Sequence, residues 1–456
     1  MVFAVLNMSK YIFALIIVLY TFNALRGFST RHDYKQAKVC FWQRILILVF
    51  HLLGFVILFL NNRCEIKYLV LYGIQLVYFL IVYYVFCGLY KKSSQLIVCN
   101  MCMLLAIGFV MITRLNYDKG LKQFVICALG TLVAMFVPAF FKGLRFIRSL
   151  GWIYCFMGLG LLGVLLFCSQ VFGANLVLTV GPVSIQPSEF VKILYVLFIA
   201  SAFNHDKINF GRVVMITFFA AAHVIILVLT KDLGAALIFF VVYVLMLYVA
   251  TRKPVYILLG SAAGAGASVV AYKLFDHIRK RVEVWQDPWP TIDSSGYQIC
   301  QSLFAIGMGS WFGYGLGQGL PGAIPVAEKD FMFSVIAEEM GIVFSGCLLI
   351  ICLNNFMLMM YIASRCRTVF YRLVAVGLGI TYGFQIFLTV GGAMKLIPMT
   401  GVTLPFVSYG GSSVVSSLIS FALILGIYNL RQDDEEDEQG PEKKKKVKKK
   451  VREVYT

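Results

Sequence analysis

The sequence predicts an all-α polytopic membrane protein, and three features carry that expectation. Hydrophobic residues make up 60% of the 456 and charged residues only 14%, against about 45–50% and 25% in soluble domains. The apolar residues gather in runs of roughly 17 to 25, the length of a helix that crosses a bilayer. Lys and Arg fall in alternate connections between those runs, as cytoplasmic loops do under the positive-inside rule. The net charge of +18 therefore reads as membrane topology and membrane-lipid contact, with no nucleic-acid partner expected.

About thirteen spanning helices are expected from run length, near 8–26, 44–61, 68–90, 95–113, 121–141, 150–170, 188–204, 212–229, 232–250, 254–274, 331–360, 370–394 and 405–428. The first run, from Tyr11 to Leu25, lacks a small-residue cleavage pattern and reads as a membrane helix, not a signal peptide. Basic residues mark the connections containing Arg26 to Arg44, Lys91, Lys142 to Arg148, Lys207, Arg252 and Arg365 to Arg372 as cytoplasmic. That places the N-terminus outside and the C-terminus inside a bacterial cytoplasmic membrane. The longest connection, 275–330, then falls outside, and its Trp285, Trp289 and Trp311 argue against disorder.

The tail, 431–456, carries an acidic run from Asp433 to Glu438 and then Lys443–Lys446 and Lys448–Lys450. Blocks of like charge repel, so a disordered cytoplasmic tail is expected. It either anchors on anionic lipid or meets a cytoplasmic partner. The 12 cysteines sit mostly in apolar runs and imply no disulfide framework. Cys99 and Cys102 have CxxC spacing without a second pair, and the His are scattered, so no metal site is expected.

Charge inside a membrane run is costly and marks function by default. Glu189 and Lys192, after Gln186-Pro187-Ser188, share one helical face. They form either a structural ion pair or the wall of a substrate cavity. Lys231-Asp232-Leu233-Gly234 is either a capped turn or part of that cavity. Glu338 and Glu339 need a cavity or a cation to face.

The outer connection holds Arg279-Lys280-Arg281, Trp285-Gln286-Asp287-Pro288-Trp289 and Gly296-Tyr297-Gln298. A glycine run from Gly307 to Gly317 follows, and then Asp330-Phe331-Met332-Phe333. Basic residues outside defy the topology rule, and a lipid pyrophosphate would account for them. Asp330 stands at re-entry among apolar neighbours that can raise its pKa; a helix cap is the other reading. Lys395 to Ser413 contains two prolines and a Gly pair at membrane depth, tolerated only where backbone lines a cavity or is buried in protein.

Four patterns together resemble the SEDS family of the RodA/FtsW type: QPSE at 186–189, KDLG at 231–234, the DPW…GYQ…DFxFxxxAEE stretch at 287–339, and LPFVSYGGSS at 404–413. The resemblance covers roughly 95–430 and implies a ten-helix core. Residues 1–94, with three extra helices, have no counterpart in that core. It implies a peptidoglycan glycosyltransferase that polymerises lipid II into a growing glycan strand during elongation or division, beside a class B penicillin-binding protein. Asp330 is the general base by this resemblance, and Glu189, Lys192 and Asp232 are cavity residues. Lys192, Lys231, Arg281 and Lys395 are candidates for the pyrophosphate, and Gln298, Ser408 and Ser412 complete the expected substrate-binding set. No cofactor is evident, although a divalent cation could assist the leaving group. Glu328 and Lys329 replace the family's usual His and Thr and carry no expected role. A lipid II flippase and a non-catalytic scaffold for the transpeptidase are the rival readings.

Overall fold

The structure, a computed structural model, describes residues 2–30, 33–89, 94–143, 145–166, 178–180, 183–205 and 208–438. Fifteen α-helices follow one another. The first ten are α1 Val2–Ser29, α2 Asp33–Asn61, α3 Ile66–Leu89, α4 Gln95–Leu115, α5 Tyr117–Gly143, α6 Gly151–Leu165, α7 Pro187–Ala202, α8 Phe210–Leu229, α9 Leu233–Thr251 and α10 Val255–Leu274. Then come α11 Asp276–Gln286, α12 Tyr297–Met308, α13 Met332–Arg365, α14 Val369–Ala393 and α15 Gly411–Glu438. A two-stranded antiparallel hairpin, β1 Leu178–Val180 with β2 Val183–Ile185, precedes α7.

Each expected span falls on a helix, but among the described residues 11 helices are long and apolar enough to cross a membrane. The chain is a multi-pass membrane protein. The two short ones are α6 and α7, with 15 and 16 residues. α7 is short because Pro187 occupies its first turn and Gln186 before it is extended; proline lacks the amide that would carry the helix back further. The long connection folds as α11 and α12, whose short amphipathic pattern gives no span signal. Residues 431–438, expected in the disordered tail, instead continue α15. Extending an existing helix fixes one residue per hydrogen bond, and Glu favours helix. The basic run from Lys443 lies outside the described residues.

α4 is the buried centre, with Leu96 through Thr113 all enclosed. A helix apolar on every face demands this. Its one side-chain amide in mid-membrane, Asn100, is bonded at both its oxygen and its nitrogen. Tyr20 Oη of α1 donates to Asn100 Oδ1 at 3.0 Å, and Asn100 Nδ2 donates to Asn354 Oδ1 of α13 at 2.9 Å. A Cβ on Gly108 would lie 2.4 Å from the Phe406 carbonyl oxygen. Only glycine lets the 404–407 backbone rest on α4.

The 310–320 turn is stitched to a break in α13. Gly341 (φ 82, ψ 175) interrupts that helix. Its freed groups pair with the turn: Tyr314 N donates to the Glu338 carbonyl at 3.0 Å and Ile342 N to the Ser310 carbonyl at 2.9 Å. The side chains repeat the pattern. Glu338 Oε1 accepts from Leu320 N at 2.8 Å, and Glu339 Oε2 from Gly317 N at 3.1 Å. Glu339 Oε1 also faces Arg114 Nη2 at 3.1 Å. Of the two open readings for these carboxylates, the geometry selects a structural one.

Lys10 Nζ reaches the Gly313 carbonyl at 3.4 Å, so the start of α1 shares a side with the long connection. Arg431 lies 5.9 Å over the Tyr361 ring near the far end of α13, which puts the end of α15 on the opposite side.

Glu339→Ala strands Arg114 beside the turn. Breaking a buried pair costs about 3–5 kcal/mol, and a lower detergent melting midpoint is the expected reading. Replacing both partners by Leu and Met should recover part of the loss.

Candidate active site

A polar cluster sits where α7, α9, α14 and α15 converge, on the side of the long connection. Lys192 Nζ contacts Glu189 Oε2 at 2.5 Å and Gln385 Oε1 at 3.0 Å, while Ser416 Oγ donates to Glu189 Oε2 at 2.9 Å. Gln385 Nε2 in turn donates to the Thr403 carbonyl at 3.0 Å. The ion pair is thus built into the packing, and it also borders a small cavity with Gln186, Ser188, Asp232 and Gly401.

Asp232 does two things at once. Oδ1 caps α9 by accepting from Ala235 N at 3.1 Å. Oδ2 accepts from Ser188 Oγ at 2.9 Å and Gln186 Nε2 at 3.4 Å. Burial pushes its carboxyl above the ordinary value despite those bonds. Lys231 before it takes a left-handed conformation, φ 63, at the turn.

Asp330 is different. Phe331 holds the N-cap position of α13 without a side-chain bond, so Asp330 is not a cap. No described residue donates a hydrogen bond to its carboxylate. Burial pushes the carboxyl up, and this outweighs the nearby positive charges of Lys329 and Arg281. Gly401 (φ 76) faces it: a Cβ there would be 3.8 Å from Asp330 Oδ2.

Arg281 on α11 is bonded through Nη1 to the Met399 carbonyl at 3.2 Å. Burial lowers its pKa, and the negative charges of Asp330 and Asp232 oppose that. Four residues on, Trp285 Nε1 donates to the Lys395 carbonyl at 3.2 Å. α11 thereby clamps the 395–401 segment over the site.

Next to Lys329, the residue before Asp330, runs a groove of about 640 Å³, and Asp330 itself is not among the residues that line it. One wall is the lipid-facing strip Leu121, Val125 and Leu129 of α5; the other is Tyr409 to Ser413. Lys122 and Lys329 stand in the same groove, which shares Gln186 and Thr403 with the small cavity. Glu328, which the sequence left without a role, pairs with Lys119 of α5, lying 18% exposed, and its carbonyl accepts from Tyr409 N at 2.7 Å. The Lys119 bond holds Glu328 below its usual range although burial pulls the other way.

The other expected residues divide. Ser412 lines the groove, with Oγ accepting from Gln186 N at 3.0 Å. Ser408 does not: it is buried, and its Oγ accepts from Leu404 N at 3.1 Å, closing a turn. Gln298 lies on α12 and lines neither the groove nor the small cavity. Lys395 contributes its carbonyl to Trp285, while its charge lies toward Cys300 of α12. Sequence reasoning missed Lys122, Lys329 and Gly401. For the lysine on α5 a signal existed: Arg114, Lys119 and Lys122 crowd an outer connection, against the topology rule. Among the described residues no group of three or more His, Cys, Asp or Glu gathers as metal ligands.

A helical membrane protein whose groove carries Lys122 and Lys329 with Asp118, along an apolar strip, is suited to an amphiphile. Its ligand would have an anionic head and a long apolar tail. The chain belongs to the cell cycle protein family of FtsW, RodA and SpoVE, whose family model matches residues 93–433; α1 to α3 lie outside that match. It is 32% identical over 360 residues to the peptidoglycan glycosyltransferase RodA of Mycobacterium leprae, covering 74% of this chain and 77% of that one. With the probable peptidoglycan glycosyltransferase FtsW of Neisseria gonorrhoeae it shares 31% over 326 residues, 61% and 70% of the two chains. Among solved structures, it resembles a chain from work on structural coordination of polymerization and crosslinking by a peptidoglycan synthase complex. The TM-score is 0.65 at 26% identity, covering 74% of this chain and 98% of that one. The rod shape determining protein RodA of Thermus thermophilus aligns with TM-score 0.58 at 25% identity, over 74% and 97%.

Asp232→Ala removes the α9 cap, a loss of about 0.5–2 kcal/mol. The melting midpoint should fall, whereas Asp232→Asn, which can still cap, should stay close to wild type.

Proposed function

We propose that this protein is a peptidoglycan glycosyltransferase that joins lipid II units into glycan strands, with Asp330 as general base. The observation that carries the base assignment is a carboxylate that no described residue bonds, raised by burial, and one residue from Lys329, which lines the groove. The 4-hydroxyl of the acceptor sugar attacks the anomeric carbon of the growing strand. Asp330 takes the hydroxyl proton as the new glycosidic bond forms with inversion. The bond to undecaprenyl pyrophosphate breaks, and its electrons leave on the pyrophosphate.

A base gains strength as its pKa rises toward the working pH, so burial of Asp330 serves the step. Lys122, Lys329 and Arg281 supply positive charge for the leaving group, a contribution that grows where water is excluded. The apolar strip Leu121, Val125 and Leu129 suits the polyprenyl chain. Glu189, Lys192 and Asp232 hold the cavity wall from behind.

The long connection then faces the outside of the bacterial cytoplasmic membrane, and the C-terminus lies in the cytoplasm. Likeness to a chain from a peptidoglycan synthase complex supports a class B penicillin-binding protein as partner. A scaffold would have no use for an unpartnered buried carboxylate. A flippase would need a second opening on the far side, joined to the first.

Asp330→Asn should abolish glycan polymer formed from lipid II by purified protein in detergent, read on gels. Wild-type polymerisation by that variant would remove Asp330 as base. The acid limb of kcat/KM should lie above the ordinary aspartate range. Stability follows the same sign. A carboxyl with a raised folded pKa contributes stability below its unfolded pKa, and loses it as pH rises through the folded value. Asp330→Asn should therefore melt higher than wild type at neutral pH, and the gap should close in acid.

A further inference from the structure

At the end of the bundle opposite Asp330, a cavity of about 340 Å³ opens between α6, the end of α7 and the start of α8. Two guanidinium groups line it, Arg148 and Arg212, with Ser149 and Asn204 beside them. Arg148 is held by Tyr371, through a 3.2 Å bond from Nη2 to Oη and by stacking 4.6 Å from the ring. Its Nε is buried without a partner. Among the described residues no carboxylate pairs with either arginine. α6 begins at this wall with no side-chain cap, so its first-turn amides at Gly151 and Trp152 add positive potential to the cavity. Two arginines without a carboxylate partner among the described residues, a buried orphan donor and an open helix end form a cradle for a phosphate.

The remaining walls indicate which phosphate. Trp152 and Met215 line the cavity and are 40% and 41% exposed on the lipid-facing side. From Trp152 the surface runs on along Phe219 and then Phe156, with ring centroids 5.1 Å and 5.8 Å apart in successive pairs. Ile153 and Phe218 flank it and are exposed. An indole at headgroup depth and an apolar strip leading away suit an acyl chain. A soluble anion would make no use of them. We propose that this cavity binds the phosphodiester headgroup of an anionic phospholipid from the leaflet opposite the Asp330 groove, with one acyl chain along α6 and α8. Arg148 and Arg212 grip the phosphate.

The test uses the full chain in detergent, titrated with phosphatidylglycerol, phosphatidylcholine or inorganic phosphate and read by native mass spectrometry and melting midpoint. Wild type should retain phosphatidylglycerol in preference to phosphatidylcholine. Arg212→Gln should weaken retention about fivefold, and Arg148→Gln with Arg212→Gln about 25-fold, at roughly fivefold per arginine. Lys253→Gln, an exposed cation on the same side, should change nothing. Among the described residues the Arg212 side chain has no partner to lose, so its variant reports on lipid even if loss of Arg148 loosens Tyr371. Asp330→Asn should bind the lipid as wild type does, which separates this site from the catalytic reading. Undiminished phosphatidylglycerol retention by Arg212→Gln overturns the proposal. So does equal retention of phosphatidylcholine, or equal protection by millimolar inorganic phosphate.

Discussion

Everything at the candidate site depends on how one broken helix satisfies its backbone. A helix interrupted at membrane depth leaves amides and carbonyls that hydrocarbon cannot solvate. At Gly341 the chain meets that demand with the 310–320 turn, whose own amides and carbonyls fit the gap. Glu338 and Glu339 extend the same pairing through their side chains, and Arg114 balances the charge. The start of α13 is thereby fixed, and Asp330 stands two residues before it. A carboxylate with no hydrogen bonds of its own needs such support, because nothing local holds it.

The second wall of the site is set by close approach. Gly401 leaves room in front of Asp330, and Gly108 lets the 404–407 segment lie against α4. α11 closes over the segment from above through Arg281 and Trp285. Three stretches far apart in sequence therefore converge around one acid.

This explains what could be read in advance. The spanning helices were legible because twenty apolar residues in a row admit few other structures. Asp330, Glu189, Lys192 and Asp232 were legible because charge in such surroundings is rare. α11 and α12 were not, since eleven or twelve amphipathic residues resemble a loop by length and polarity. Ser408 was misplaced because a serine in a proline-broken segment can face the groove or close the turn, and only the backbone path decides. Glu328 was opaque because its partner, Lys119, lies over two hundred positions away.

The three helices ahead of residue 93 deserve a different description from appendage. Lys10 holds the Gly313 carbonyl, the Tyr11 ring packs 5.2 Å from Phe312, and Asn61 abuts Gly317. These residues of α1 and α2 touch the turn that braces α13. The bracing of the candidate site is thus borrowed in part from a stretch the family model does not cover. Trimming the chain to the stretch the family model matches would leave the keystone of the arch without its abutment.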